Sequence, residues 1–268
     1  MHLVKAHAYG NDFLFARHAD LGSADLARAA RRLCDRHRGA GGDGLILYEL
    51  TGDGATMRLV NADGSPAELS GNGLRALAAI VIRHRGSRAQ VVPGAKVVIR
   101  TDAGPRTLTL VARDDPRFTF RADMGRPDDL RQETLEAAGE RVDASVFSMG
   151  NPQCVVLGPL PEDDRFTRLG PALERHSRFR HGTNVEFAEL EAPDRVRIRI
   201  WERGVGPTTA SGTGACAAAV AAIAHGGAAR ALDVVSPGGT QRVEWRDEGV
   251  FLTGWAELLW EGTWLADL

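Results

Sequence analysis

Two stretches of the chain, LSGNGLRALAAIV at 69–81 and ASGTGACAAAVAA at 210–222, repeat one arrangement: serine, glycine, a polar residue, glycine, then small apolar residues. Each predicts a helix that opens at its serine, because serine is a favoured N-cap and the residues that follow sustain helix. Amides of a first helical turn lack intrahelical partners and sit at the positive end of the helix dipole, so each mouth suits a carboxylate. Gly71, Gly73, Gly212 and Gly214 would let that ligand approach the backbone. Two such mouths facing across an interdomain cleft would grip one anion from both sides and set Ser70 and Ser211 on opposite faces of the adjoining carbon. A racemase needs that geometry, one group removing a proton while the other supplies one from the far side.

Plainer readings stand beside this one. Serine N-caps are worth about 0.5–2 kcal/mol with no chemistry at all. Both stretches also match G-x-G-x-x-A, a dinucleotide fingerprint, but NADGSPAEL and ERGVGPTTA intervene where such a site wants a strand running into the glycines. Asn11, Asn61, Asn151 and Asn184 are each explicable as turn residues. Arg203 beside Glu202 reads as a surface ion pair or, after an apolar strand and before a glycine loop, as a binding residue. Cys154, within QCVVL, reads as a small core residue.

The elements that must carry these residues follow from periodicity and punctuation. Ser23 is the expected cap of a helix of about four turns that Gly39 stops, with Leu26, Ala30, Leu33 and His37 on one face. Strands are predicted at 45–50 and 56–61, a helix at 72–83, and antiparallel strands within 97–123 where apolar and polar residues alternate. The polar stretch 124–143 reads as a linker or excursion. Strands then recur in SVFSM, QCVVLG, TNVEFAEL and RVRIRIW, with helices at 163–176 and 213–225, and four short strands at 231–235, 241–245, 250–254 and 256–260. Asn61 stands nine residues before Ser70, and Glu202 nine before Ser211, so the halves align as a duplicated domain. The expected boundaries are 1–115 and 116–256, with the tail at about 257–268 returning to the first domain.

With 268 residues, 43% hydrophobic content and a formal charge of -2, the chain suits a globular protein with a small-molecule partner, and neither nucleic acid nor a membrane surface is expected. Three scattered cysteines, no leader pattern and no long apolar run point to the reducing cytoplasm. Lys5 and Lys96 are the only lysines and neither lies in a glycine-lined loop, so pyridoxal phosphate is not expected. No zinc-ligand spacing occurs, and no metal is expected either.

The segments YGNDF, NADGS, SGNG, MGNP, GTNVEF, WERG and SGTGACAA, in this order and at these separations, resemble the diaminopimelate epimerase family over about residues 9–222. The resemblance implies an α/β (α+β) fold of two pseudo-symmetric domains, each an antiparallel barrel-like sheet around a central helix. It implies cofactor-independent epimerisation of LL- to meso-diaminopimelate for lysine and peptidoglycan synthesis; a homodimer is one assembly left open. Gly71 with Asn72, and Gly212 with Thr213, would hold the reacting α-carboxylate. Asn11, Asn61, Asn151, Asn184, Glu202 and Arg203 would contact the remaining polar groups, Arg203 offering its bidentate fork to the distal carboxylate. The chain departs from the family at the two positions that matter most: Ser70 and Ser211 stand where the family has its cysteine base and acid, and Gln153 where it usually has histidine. A hydroxyl is far less acidic than a thiol and needs a neighbouring base; on the Ser211 side Glu202 is a candidate. A homologue that binds a small amino acid without turning it over, or that takes another substrate, is the alternative.

Overall fold

The computed structural model describes residues 1–22, 25–67, 70–86, 92–102 and 104–267. They fall into two compact units, Met1–Ala122 with Gly254–Leu268, and Asp123–Thr253. The first stretch runs β1 His2–Ala8, β2 Asn11–Arg17, α1 His18–Leu21, α2 Leu26–Cys34, β3 Gly44–Thr51, β4 Gly54–Asn61, β5 Pro66–Ala67, α3 Gly71–Arg85, β6 Lys96–Thr101, β7 Gly104–Asp114 and β8 Arg117–Asp123. The second runs β9 Asp128–Ala137, β10 Glu140–Ser148, β11 Pro152–Leu157, α4 Asp163–Glu174, β12 Asn184–Ala192, β13 Arg195–Glu202, β14 Gly206–Thr208, α5 Gly212–His225, β15 Ala231–Ser236, β16 Gly239–Trp245 and β17 Val250–Thr263.

In the first unit, neighbouring strands run β1-β2-β3-β4-β6-β7-β8-β17 and return to β1, a closed ring of eight among the described residues. In the second unit, β9 through β13 are joined in order and continue through β15, β16 and the start of β17. Val250 closes that ring by hydrogen bonds with Met124 and Gly125, the lead-in to β9. Eight strands enclose little room, so the helix inside each ring must be slim. In α5 every residue from Gly214 to Ala222 is buried, and alanine fills most of those places. In α3, Asn72 to Ile82 are buried without a break. A helix apolar on all sides belongs inside a core. The basic residues Arg83, His84 and Arg85 of α3, and His225 of α5, fall in the last turns, where they complement the helix dipole.

The outer faces carry their own helices in equivalent places. Ala29, Ala30 and Leu33 of α2 pack with Leu45 and Leu47 of β3, and Phe166, Leu169 and Leu173 of α4 pack with Val185 and Phe187 of β12. Burying leucines and phenylalanines of this kind contributes about 1.5–3 kcal/mol each.

Three local expectations are corrected. Helix α2 is shorter than predicted: Asp25 caps it, and Asp35 ends it by turning its carboxylate onto the amides of His37 and Arg38, which leaves His37 and Gly39 outside. Ser23 lies outside the described residues. The supposed excursion at 124–143 is strand β9 with the start of β10, polar because Leu130, Leu135 and Ala137 alone carry the apolar side of β9 while most of its other residues are exposed. The last two predicted strands are one, β17, which runs through Gly254 without a break. A β-carbon there would meet Tyr9 Oη at 3.0 Å and Arg75 Nε at 3.3 Å, so the glycine marks a close approach and not a turn. The N-terminal segment, which sequence patterning left unassigned, is a hairpin whose two-residue turn, Tyr9-Gly10, has φ of 57° and 87°. Positive φ at both positions is the geometry that matches the twist of paired strands.

Candidate active site

In the first unit, β4 ends at Asn61, and its short partner β5 turns the chain back toward the start of α3. Ser70 is the N-cap residue of α3, with extended backbone and an Oγ that accepts a hydrogen bond from Gly73 N at 3.1 Å. Asn72, buried one residue into the helix, donates from Nδ2 to Asn11 Oδ1 at 3.2 Å, while Asn11 Nδ2 donates to Asp43 Oδ2 at 2.7 Å. Both ends of the Asn11 amide are therefore fixed. Arg36 completes the chain by donating to Asp43 and Asp12. Arg75, 2% exposed, donates to Asn72 Oδ1 and lies with its guanidinium over the Tyr9 ring. Asn61 donates from Nδ2 to Ser65 Oγ at 3.0 Å, so its side chain holds the NADGS turn. Sequence reasoning did not single out Asp43, and nothing in its GGDG surroundings signals the role.

The second unit repeats the plan. Strand β13 ends at Glu202, β14 pairs back upon it, and Ser211 caps α5 with its Oγ accepting from Gly214 N at 3.2 Å. Thr213 Oγ1 lies 3.4 Å from the same oxygen. Gln153, fully buried, faces Asn184 across the parallel β11–β12 pair and donates to Asn151 Oδ1 at 2.6 Å. Asn184 Oδ1 accepts from Arg203 N at 2.9 Å, which commits that oxygen and leaves the Asn184 amide group as its donor. Glu174 accepts from Trp201 Nε1 and from Gly204 N, both at 2.9 Å, anchoring the turn on which Arg203 sits with its guanidinium exposed. Burial raises the carboxyl pKa of Glu202 above the ordinary range.

One residue overlooked in the sequence shares the mouth of α5 with Ser211. A β-carbon at position 214 would lie 2.7 Å from Glu186 Oε1 and 3.3 Å from Ser211 Oγ. Glu186 is 0% exposed, and its carboxyl is raised well above the usual range by burial first and by the neighbouring Glu202 second. An acidic residue at inward parity in the otherwise apolar run VEFA is the signal that could have found it.

Each helix mouth thus offers first-turn amides and a hydroxyl side by side, a combination able to hold a carboxylate and exchange a proton next to it. Among the described residues no group of three or more His, Cys, Asp and Glu side chains is placed to hold a metal ion, and no helix is long and apolar enough to cross a membrane.

A family model described as "Diaminopimelate epimerase" matches residues 3–129 and 145–259. Relatives that carry the same description include one from Desulforudis audaxviator, 40% identical and covering 99% of each chain. Another from Desulfitobacterium hafniense is 39% identical over 100% of this chain and 99% of its own. A third, from Synechocystis, is 37% identical over 96% of each. Among solved structures, a hydroxyproline epimerase from Agrobacterium vitis superposes with a TM-score of 0.69 at 17% identity, covering 98% of this chain and 91% of that one. A methylitaconate-delta-isomerase does so with a TM-score of 0.68 at 15% identity over 98% and 95%. At such identities the likeness is one of fold alone.

Proposed function

Because the chain belongs to the diaminopimelate epimerase family, we propose that Ser70 and Ser211 serve as the base and acid of an amino-acid epimerisation that interconverts LL- and meso-diaminopimelate. One hydroxyl removes the α-proton and the other returns a proton to the opposite face, the roles exchanging when the reaction runs backward. The Gly71–Asn72 and Gly212–Thr213 amides hold the α-carboxylate, and the charge that spreads into it as the proton leaves is stabilised by these fixed N–H groups. Asn11, Asn61, Asn151, Asn184, Glu202 and Arg203 contact the remaining polar groups, with Arg203 on the distal carboxylate. The same reading takes the enzyme as cytoplasmic and free of any cofactor, with a homodimer as one assembly left open.

The observation that supports this reading is the repeated cap. Each unit presents one serine whose Oγ accepts from the amide three residues on, at 3.1 Å for Ser70 and 3.2 Å for Ser211. The test is exchange of the α-proton of diaminopimelate for deuterium, beside calorimetric binding of the same compound. Exchange by the unaltered chain supports catalysis by hydroxyls. Tight binding without exchange, with exchange appearing in the Ser70→Cys, Ser211→Cys variant, assigns the chain to binding without turnover.

A further inference from the structure

A serine asked to act as an acid is left as an alkoxide, which is too costly to persist unless a second group supplies a proton as the first one leaves. On the Ser211 side the structure holds such a group. Strand β12 alternates: Val185 and Phe187 face the α4 side, whereas Ala188 joins Val155, Ile198 and Ile200 around α5. Glu186 shares the inward parity of Ala188. Its carboxyl reaches the first turn of α5, where Oε1 and Ser211 Oγ both lie within 3.3 Å of the empty side-chain position of Gly214. Only a glycine at 214 leaves room for it. From β11 it is flanked by Gln153 and Val155, and from β13 by Ile200 and Glu202.

We infer that Glu186 is the positioning residue and proton reservoir of Ser211, passing a proton to Ser211 Oγ as that oxygen gives its own to the substrate carbon. The inference rests on the function proposed above. In one direction the Oγ–H bond breaks toward the carbanion while the Glu186 carboxyl proton moves to Oγ, so the step ends with a neutral serine and a carboxylate. In the other direction Ser211 Oγ takes the α-proton as its own proton goes to the Glu186 carboxylate. No alkoxide forms in either case. The titratable neighbours favour a protonated resting carboxyl: burial works against the charged form, and Glu202 works against a second negative charge. Cys154, whose thiol is raised by burial and then by Glu186, stays protonated and does not compete.

The test compares Glu186→Gln with the unaltered chain, and repeats the comparison in a Ser211→Cys background. Glutamine keeps the shape but carries no transferable proton, so kcat is expected to fall about 100-fold or more with KM within about threefold. Both directions of the unaltered enzyme share one kcat/KM profile against pH, since their ratio is the overall equilibrium constant, and its alkaline limb, where Glu186 loses its proton, is expected to vanish in Glu186→Gln. A thiol at position 211 supplies its own proton, so there Glu186→Gln is expected to cost less than about 10-fold. Activity of that double variant also shows that the substitution folds. An equal loss in both backgrounds, or a Glu186→Gln enzyme that retains its rate and its alkaline limb, overturns the relay and leaves the function standing. An unaltered chain that exchanges no α-proton overturns both.

Discussion

Glu186 Oε1 lies 2.7 Å from the point that a β-carbon at position 214 would occupy, whereas the equivalent point at Gly73 in the other unit meets apolar atoms, Ile46 Cδ1 at 2.7 Å and Met57 Cε at 3.3 Å. The same small addition therefore has different consequences. At Gly214 it displaces a buried carboxyl from beside Ser211, whereas at Gly73 it presses on the buried apolar side chains of Ile46 and Met57. Gly214→Ala is expected to lower epimerase activity at least about 30-fold and stability by about 1–3 kcal/mol. Gly73→Ala is expected to cost a similar amount, about 1–3 kcal/mol, by overpacking but to keep activity within about fivefold. Steady-state rates and urea unfolding of the two variants check this.

The serines combine a cap with a proposed proton transfer, and substitution separates the two. Asparagine caps helices about as well as serine but transfers no proton. Ser70→Asn and Ser211→Asn are thus expected to unfold within about 0.5 kcal/mol of the parent and to lose at least about 100-fold in rate, whereas Ser→Ala loses the rate and about 0.5–2 kcal/mol as well. Denaturation and turnover measured on the same four variants decide it.

Much of this site was legible in the sequence because it depends on local chemistry. Ser70 and Ser211 announce caps through the glycines and alanines that follow, and the nine-residue spacing to Asn61 and Glu202 marks the ends of β4 and β13 in both units. What stayed hidden depends on tertiary surroundings. Strand β9 is wet on one side and carries too few apolar residues to signal a strand. Gly254 reads as punctuation until Tyr9 and Arg75 are seen against it. Asp43 and Glu186 act through partners far away in the chain, at separations that no local pattern encodes.

The Asp43 carboxylate orients Asn11 without being placed on the substrate. Asn11 donates to Asp43 Oδ2 at 2.7 Å and accepts from Asn72, so Asp43→Ala frees one end of the amide. A lost hydrogen bond to a charged group corresponds to about 1.5–3 kcal/mol. The expected result is a KM raised about tenfold or more with kcat within about threefold, read from initial rates.

Two buried acids give stability opposite pH dependences. Burial pushes Asp12 up, but hydrogen bonds from Arg36 and Lys5 outweigh it and hold the carboxyl at about 2. A depressed pKa contributes stability above the ordinary value near about 3.9, lost as pH falls through the folded value. Asp12→Asn is expected to cost about 2 kcal/mol at pH 7, with the difference shrinking in acid. Glu186 has the reverse sign: its pKa is raised, so the stability linked to its protonation is full below the ordinary range near about 4.3 and is lost as pH rises toward the folded value. Glu186→Gln is therefore expected to gain stability relative to the parent as pH rises above the ordinary carboxyl range, measured by urea unfolding as a function of pH.

The central claim is that two hydroxyls, not one, handle the α-proton. Incubating LL-diaminopimelate with the unaltered chain in deuterium oxide and following both epimers by mass spectrometry at low conversion tests it most directly. Deuterium carried by the meso product while the recovered LL substrate remains almost unlabelled is the predicted result, since the proton removed from one face is not the one delivered to the other. Equal labelling of substrate and product, or no labelling of either, would contradict it.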